Sequence, residues 1–145
     1  MFLASLEQRA VAFILDSVLL LSFLALFFCI GGVQALLRSN SGSKDLSNSE
    51  VYTWIGIILS WFLLVPLYYI VLWRWKGQSI GMIATHIKVI RTDAEPVDLL
   101  TAVLRFAAYL VSLLPLFAGF IVAFFNEDRR TLHDLIANTV VIDLT

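Results

Sequence analysis

Residues 51–73 read VYTWIGIILSWFLLVPLYYIVLW, twenty-three positions without one charged side chain. A helix crosses a hydrocarbon layer of about 30 Å with roughly 20 apolar residues. This stretch is therefore long enough to span a bilayer. Irregular backbone is excluded there, because unpaired amides and carbonyls are too costly in lipid. Two other stretches have the same character. Residues 10–37 hold a single charge, Asp16, and residues 97–125 hold Asp98 and Arg105 near their start. The sequence thus predicts helices over about 10–37, 51–73 and 97–125.

Composition agrees. Of 145 residues, 60% are hydrophobic and 14% charged, against about 45–50% and 25% in soluble domains. Mean hydropathy is +0.89. These values exclude an ordinary soluble enzyme, and disorder over most of the length. One cysteine excludes an intrachain disulfide. A net charge of −1 gives no basic excess for nucleic acid. The first stretch is expected to be a retained helix and not a cleaved signal. It is too long for a signal core, carries an acid, and has no small-x-small site nearby. Cys29 follows Phe27-Phe28, unlike a lipoprotein site.

The connections differ in kind. Residues 38–50 (RSNSGSKDLSNSE) are rich in Ser, Asn and Gly and read as a loop. The Gly31-Gly32 pair is expected to loosen the end of the first helix. Between 74 and 96, Ile87, Val89 and Arg91 alternate with His86, Lys88 and Ile90, the period of a strand. Thr92-Asp93-Ala94-Glu95-Pro96 is a turn, and residues 138–144 (NTVVIDL) read as a second strand. A lone strand leaves its backbone groups unpaired, so the two are expected to pair. Gly77 and Gly81 read as turn or interface glycines.

Pairing places both strands on one side of a membrane. Lysine and arginine favour the cytoplasmic side. Three full spans would put Arg38, Lys44, Arg129 and Arg130 outside. A third segment that returns would leave only Arg38 and Lys44 there, which fits the charge rule better. Pro115 and Gly119 (LLPLFAGF) offer a bend, although a straight kinked span stays open. The expected fold is an all-α membrane protein. It has two transmembrane helices, a Pro-bent third segment (hairpin, re-entrant or kinked span) and a minor two-stranded cytoplasmic sheet, all in one domain over 1–145.

Five charged residues stand out. Arg9 and Asp16 share a helix face about 10 Å apart along the axis. Asp16 reads either as a proton- or cation-binding carboxylate in apolar surroundings or as half of a structural ion pair. Arg105 reads as a counter-ion to Asp16 or Asp134, or as a snorkelling side chain. Arg130 and Asp134 are four apart and could meet on a helical turn; the alternative is a solvated turn ending the third segment. His86 and His133 are the only histidines, so no metal site is expected. Trp54, Trp61, Trp73, Trp75, Tyr68 and Tyr69 suit interfacial belts or packing. No catalytic triad order, P-loop or dinucleotide fingerprint occurs. The expectation is a non-enzyme with no catalytic residue and no cofactor.

Three pieces carry a resemblance. They are Arg9-Ala10-Val11-Ala12-Phe13-Ile14-Leu15-Asp16, then Lys76-Gly77-Gln78-Ser79-Ile80-Gly81 leading to Ile87-Lys88-Val89 and Arg105, and Arg130-Thr131-Leu132-His133-Asp134-Leu135-Ile136-Ala137-Asn138-Thr139-Val140-Val141. Together they resemble the RDD family of bacterial membrane proteins over nearly the whole chain. By that resemblance Arg9, Asp16 and Asp134 are the signature residues. Asn138 departs from a glycine that commonly stands before Thr-Val-Val. The resemblance implies a multi-pass protein of the bacterial inner membrane with a cytoplasmic N-terminus. It implies one of two roles. The first is monovalent cation/proton exchange, in which Arg9, Arg105 or Arg130 holds the carboxylates Asp16 and Asp134. The second is a scaffold or assembly module in which these residues form a structural charge network. Expected partners are the lipid bilayer, monovalent cations and protons, and a second copy or membrane partner protein. Three helices hardly enclose a pore, so a transporter would be oligomeric.

Overall fold

A computed structural model describes residues 2–39, 48–113 and 130–145. The elements in chain order are α1 (Leu6–Ser39), α2 (Asn48–Lys76), α3 (Ile80–Ala84), β1 (Ile87–Arg91), α4 (Leu99–Leu113), α5 (Leu132–Ile136) and β2 (Thr139–Asp143). Contacts divide the chain into two compact units. One comprises Met1–Asp16 with Pro66–Thr145, and the other Ser17–Val65.

The unit Ser17–Val65 carries the middle of the two long helices. Both helices are long and apolar enough to cross a membrane. Their large apolar side chains, among them Val18, Leu21, Leu26, Leu59, Phe62 and Leu63, are exposed and not packed into a core. The Ser22 hydroxyl donates to the Leu19 carbonyl at 2.7 Å, which satisfies a polar group inside its own helix. Gly31 and Gly32 do not loosen α1, which continues through them to Ser39. Gly31 is buried beside Trp54, where a Cβ would stand 3.0 Å from the indole. Phe28 packs on the same ring at 5.2 Å between centroids. Pro66 lies inside α2 without ending it.

The other unit is built on the sheet. β1 and β2 pair antiparallel with Val89 opposite Val141, as the period-two pattern predicts. Ile87, Val89, Val141 and Ile142 are buried. The N-terminal segment adds to β2, with Leu3 bridging Ile142 and the Ala4 amide donating to the Val141 carbonyl at 3.0 Å. The sequence reading did not anticipate this third piece. Three non-glycine residues among those described are left-handed: His86 (φ 56°) before β1, Ala94 (φ 66°) in the turn after β1 and Asn138 (φ 49°) before β2. Asparagine tolerates that conformation better than most residues, which suits Asn138 to the position before β2.

In the third apolar stretch, α4 starts where the Asp98 carboxylate accepts from the Thr101 amide at 2.8 Å. Ala102, Arg105, Phe106, Tyr109 and Ser112 form its buried face. Their spacing of three and four is the helical repeat. The bend read at Pro115 and Gly119 lies outside the described residues.

Candidate functional site

Most buried polar residues described in the sheet-bearing unit fall into two clusters, one around Asp16 and one around Asp134. Asp16 sits on α1 and is 2% exposed. Its Oδ1 accepts from the Tyr68 hydroxyl at 2.6 Å and from the Gly81 amide at 2.7 Å. Its Oδ2 accepts from the Ser79 hydroxyl at 2.5 Å. Ser79 also caps α3, accepting from the Met82 amide. Gly81 is required by close approach, because a Cβ there would collide with the Ala12 carbonyl of α1. Three donors from α2 and α3 thus close on one carboxylate of α1. The sequence reading offered Asp16 an arginine or lysine partner. The structure gives it neutral hydrogen-bond donors instead.

Asp134 lies on α5 and is fully buried. Arg9 Nη1 meets its Oδ2 at 2.8 Å, and Arg105 Nη1 meets its Oδ1 at 2.5 Å. The Thr131 amide and hydroxyl donate to Oδ2 at 3.1 and 2.7 Å. Arg105 also donates to Thr139 Oγ1 on β2, and its guanidinium lies 5.0 Å from the centre of the Trp73 ring. At 1% exposure Arg105 does not snorkel. Nor is the Thr131–Asp134 turn solvated. Arg130 is half-buried just before this turn, and the two cations on the Asp134 carboxylate are Arg9 and Arg105. The expected meeting of Arg130 with Asp134 is therefore replaced by pairs from α1 and α4.

Electrostatics follow from this geometry. Burial pushes the Asp134 carboxyl up. Arg105, His133, Arg9 and the Thr131 hydrogen bond outweigh burial and hold the group below the ordinary carboxylate range. Burial pushes His133 down to about 3; Asp134 opposes this, while Arg105 and Arg9 add to it. His133 is thus neutral at pH 7, and the two arginines carry the effect on Asp134. Thr131 has one hydroxyl hydrogen, which goes to Asp134. His133 Nε2, 2.9 Å from that oxygen, is therefore the protonated ring nitrogen.

A family model described as "RDD family" matches residues 3–138. The chain belongs to the RDD family. Among curated proteins, this RDD chain is 36% identical over 90 residues to the "Uncharacterized protein YckC" of Bacillus subtilis (strain 168). That match covers 59% of this chain and 56% of the relative, so the chain spans about half the length of the curated relative it matches. No solved structure gives a significant match. Within this RDD fold, Arg9 and Asp134 form one cluster and Asp16 the other. Sequence reasoning missed Tyr68, Ser79 and Gly81 as partners of Asp16, and Thr131, His133, Thr139 and Trp73 around Asp134. One signal was available. Thr131-x-x-Asp134 has the spacing of a capping box, which predicts the amide–carboxylate bond seen here.

Proposed function

We propose that this RDD protein is a multi-pass protein of the bacterial inner membrane. In it, Arg9, Asp16, Arg105 and Asp134 are a structural lock and not a reaction centre. It is a non-enzymatic scaffold or assembly module whose partner is a second copy or another membrane protein. The observation that carries this reading is the occupancy of both carboxylates. Asp16 accepts three hydrogen bonds, and Asp134 is held by two guanidiniums and Thr131. A carboxylate that alternates between a proton and a cation needs an open oxygen, and here the oxygens face donors. The exposed apolar surface of α1 and α2 supports lipid as the surrounding medium. Residues 3, 87–91 and 139–143 share one sheet, which supports an even number of crossings between the first two. This fits α1 and α2 as two spans, with the N-terminus on the side rich in lysine and arginine, the cytoplasm.

A second reading keeps monovalent cation/proton exchange at Asp16. It is favoured by a small cavity that reaches Asp16 beside Tyr69. Proton flux in proteoliposomes, driven by Na⁺ or K⁺ and measured for the wild type and Asp16→Asn, separates the two. The lock predicts no cation-dependent flux from wild-type protein and a poorly folded variant of low membrane abundance. Flux that disappears in a well-folded Asp16→Asn protein overturns the lock in favour of exchange.

A further inference from the structure

The end of α2 is shaped to receive β1. Gly77 follows the helix with φ 70° and donates its amide to the Trp73 carbonyl at 3.0 Å. Its own carbonyl accepts from the Val89 amide of β1 at 2.8 Å. Gln78 Nε2 donates to the Ile87 carbonyl at 2.9 Å. Only glycine permits this approach, because a Cβ at Gly77 would stand 2.6 Å from the Val89 carbonyl oxygen and 3.1 Å from Lys88 Cε. The stem of Lys88 therefore lies along Gly77, whose neighbour in the chain is Lys76.

This docking gathers positive charge. Arg74, Trp75 and Lys76 are exposed, and Lys88 is half-buried. Among the described residues, no carboxylate pairs with Arg74, Lys76 or Lys88. Arg91, at the other end of β1, has Asp93 and Glu95. Cations in the last turn of a helix complement its dipole, which accounts for Arg74 and Lys76. It does not account for Lys88, which a different element brings to the same place against like-charge repulsion. Trp75 is 74% exposed, and Lys76 Nζ lies 5.1 Å from the centre of its ring. An indole at the end of an apolar helix suits the headgroup level of a bilayer, and α2 is long and apolar enough to cross one.

We infer that Arg74, Lys76 and Lys88, with Trp75 beside them, bind the headgroup of an anionic phospholipid. Lysine and arginine next to a span attract anionic lipid. Here two elements supply the charge, and the indole sets its depth. The inference rests on the reading of α2 as a membrane span. It is independent of whether Asp16 exchanges protons.

The test uses the whole chain in micelles of a neutral detergent. Thermal unfolding is followed while phosphatidylglycerol or phosphatidylcholine is added. Phosphatidylglycerol raises the wild-type Tm saturably, and phosphatidylcholine does not. The double variant Lys76→Gln/Lys88→Gln weakens the phosphatidylglycerol midpoint about thirtyfold, as expected for two lysines near a membrane surface. Arg91→Gln, whose charge has acids of its own, keeps the wild-type midpoint. An equal response to the two lipids, or an unchanged midpoint in the double variant, overturns the site. So does an equal rise with inorganic phosphate, which would make the ligand a free anion. Native mass spectrometry of the wild type in an equimolar mixture of the two lipids needs no variant. Preferential retention of phosphatidylglycerol supports the site, and equal retention overturns it. Carbonate extraction of membranes tests the span separately. Release of the protein overturns the span and the site with it, whereas a retained protein without lipid preference overturns the site alone.

Discussion

Arg105 Nη1 of α4 stands 2.5 Å from Asp134 Oδ1 of α5, with both side chains closed to solvent. Arg9 of α1 approaches the other oxygen of the same carboxylate. Three segments far apart in the chain therefore share one negative charge. Removing a partner from a buried pair is far more costly than the pair is worth, because the remaining charge stays buried.

Asp134→Asn removes the carboxylate charge that two buried guanidiniums share. The expected loss is about 3–5 kcal/mol, read as a collapse of Tm and of membrane abundance. An Asp134→Asn protein with wild-type Tm would show that solvent reaches both arginines.

Tyr68→Phe and Ser79→Ala each remove one donor from Asp16 and leave two. Hydrogen bonds to charged groups contribute about 1.5–3 kcal/mol, so each variant should unfold earlier by that amount. The double variant should fall outside simple additivity, because the two hydroxyls share one carboxylate. Denaturant unfolding of the four proteins in one detergent gives the coupling.

Glycine positions separate packing from helix propensity. Gly81→Ala drives a methyl group into the Ala12 carbonyl and within 3.0 Å of the Asp16 carboxyl carbon. The expected cost is about 1–3 kcal/mol. Gly32→Ala and Gly56→Ala meet nothing within 4 Å and lie inside helices. Each should instead raise stability, by up to about 1 kcal/mol. Thermal melts of the three variants test the opposite signs.

Histidine 133 gives the fold a pH dependence. Its pKa is about 3 in the folded protein against an ordinary 6.5. The unfolded chain therefore binds a proton that the folded chain refuses. Stability conferred by neutral His133 is complete above the unfolded value and is lost as pH falls from there toward 3. The slope approaches about 1.4 kcal/mol per pH unit in mid-range. Asp134 adds to this only at lower pH. Its folded pKa lies below the ordinary 3.8, so its contribution is present above that value and is lost as pH falls through the lower one. Between pH 6 and 4, His133→Gln should show a shallower fall of Tm than the wild type; parallel curves would rule the imidazole out.

The long helices were legible from residues 51–73 and 10–37 alone, because an apolar run of that length with at most one charge has few conformations open to it. The two strands were legible from alternation at Ile87 and Val89 and from β-branched residues at Thr139, Val140 and Val141. Their pairing followed from the need to satisfy backbone groups. Asp16 and Arg105 were visible as isolated charges in apolar sequence, whereas Arg9 and Asp134 stand beside other polar residues. Their partners were not visible. Asp16 takes Ser79 from 63 positions away, and Arg9 takes Asp134 from 125 positions away. Local spacing suggested Arg130 for Asp134, but the distant arginines of α1 and α4 hold that carboxylate. Sequence determined which segments are apolar and which side chains are misplaced there, because solvent preference and backbone period are properties of neighbours along the chain. Tertiary structure decided which donor meets which acceptor, because a hydrogen bond is fixed within tenths of an ångström, and only the packed helices and sheet set distances at that scale.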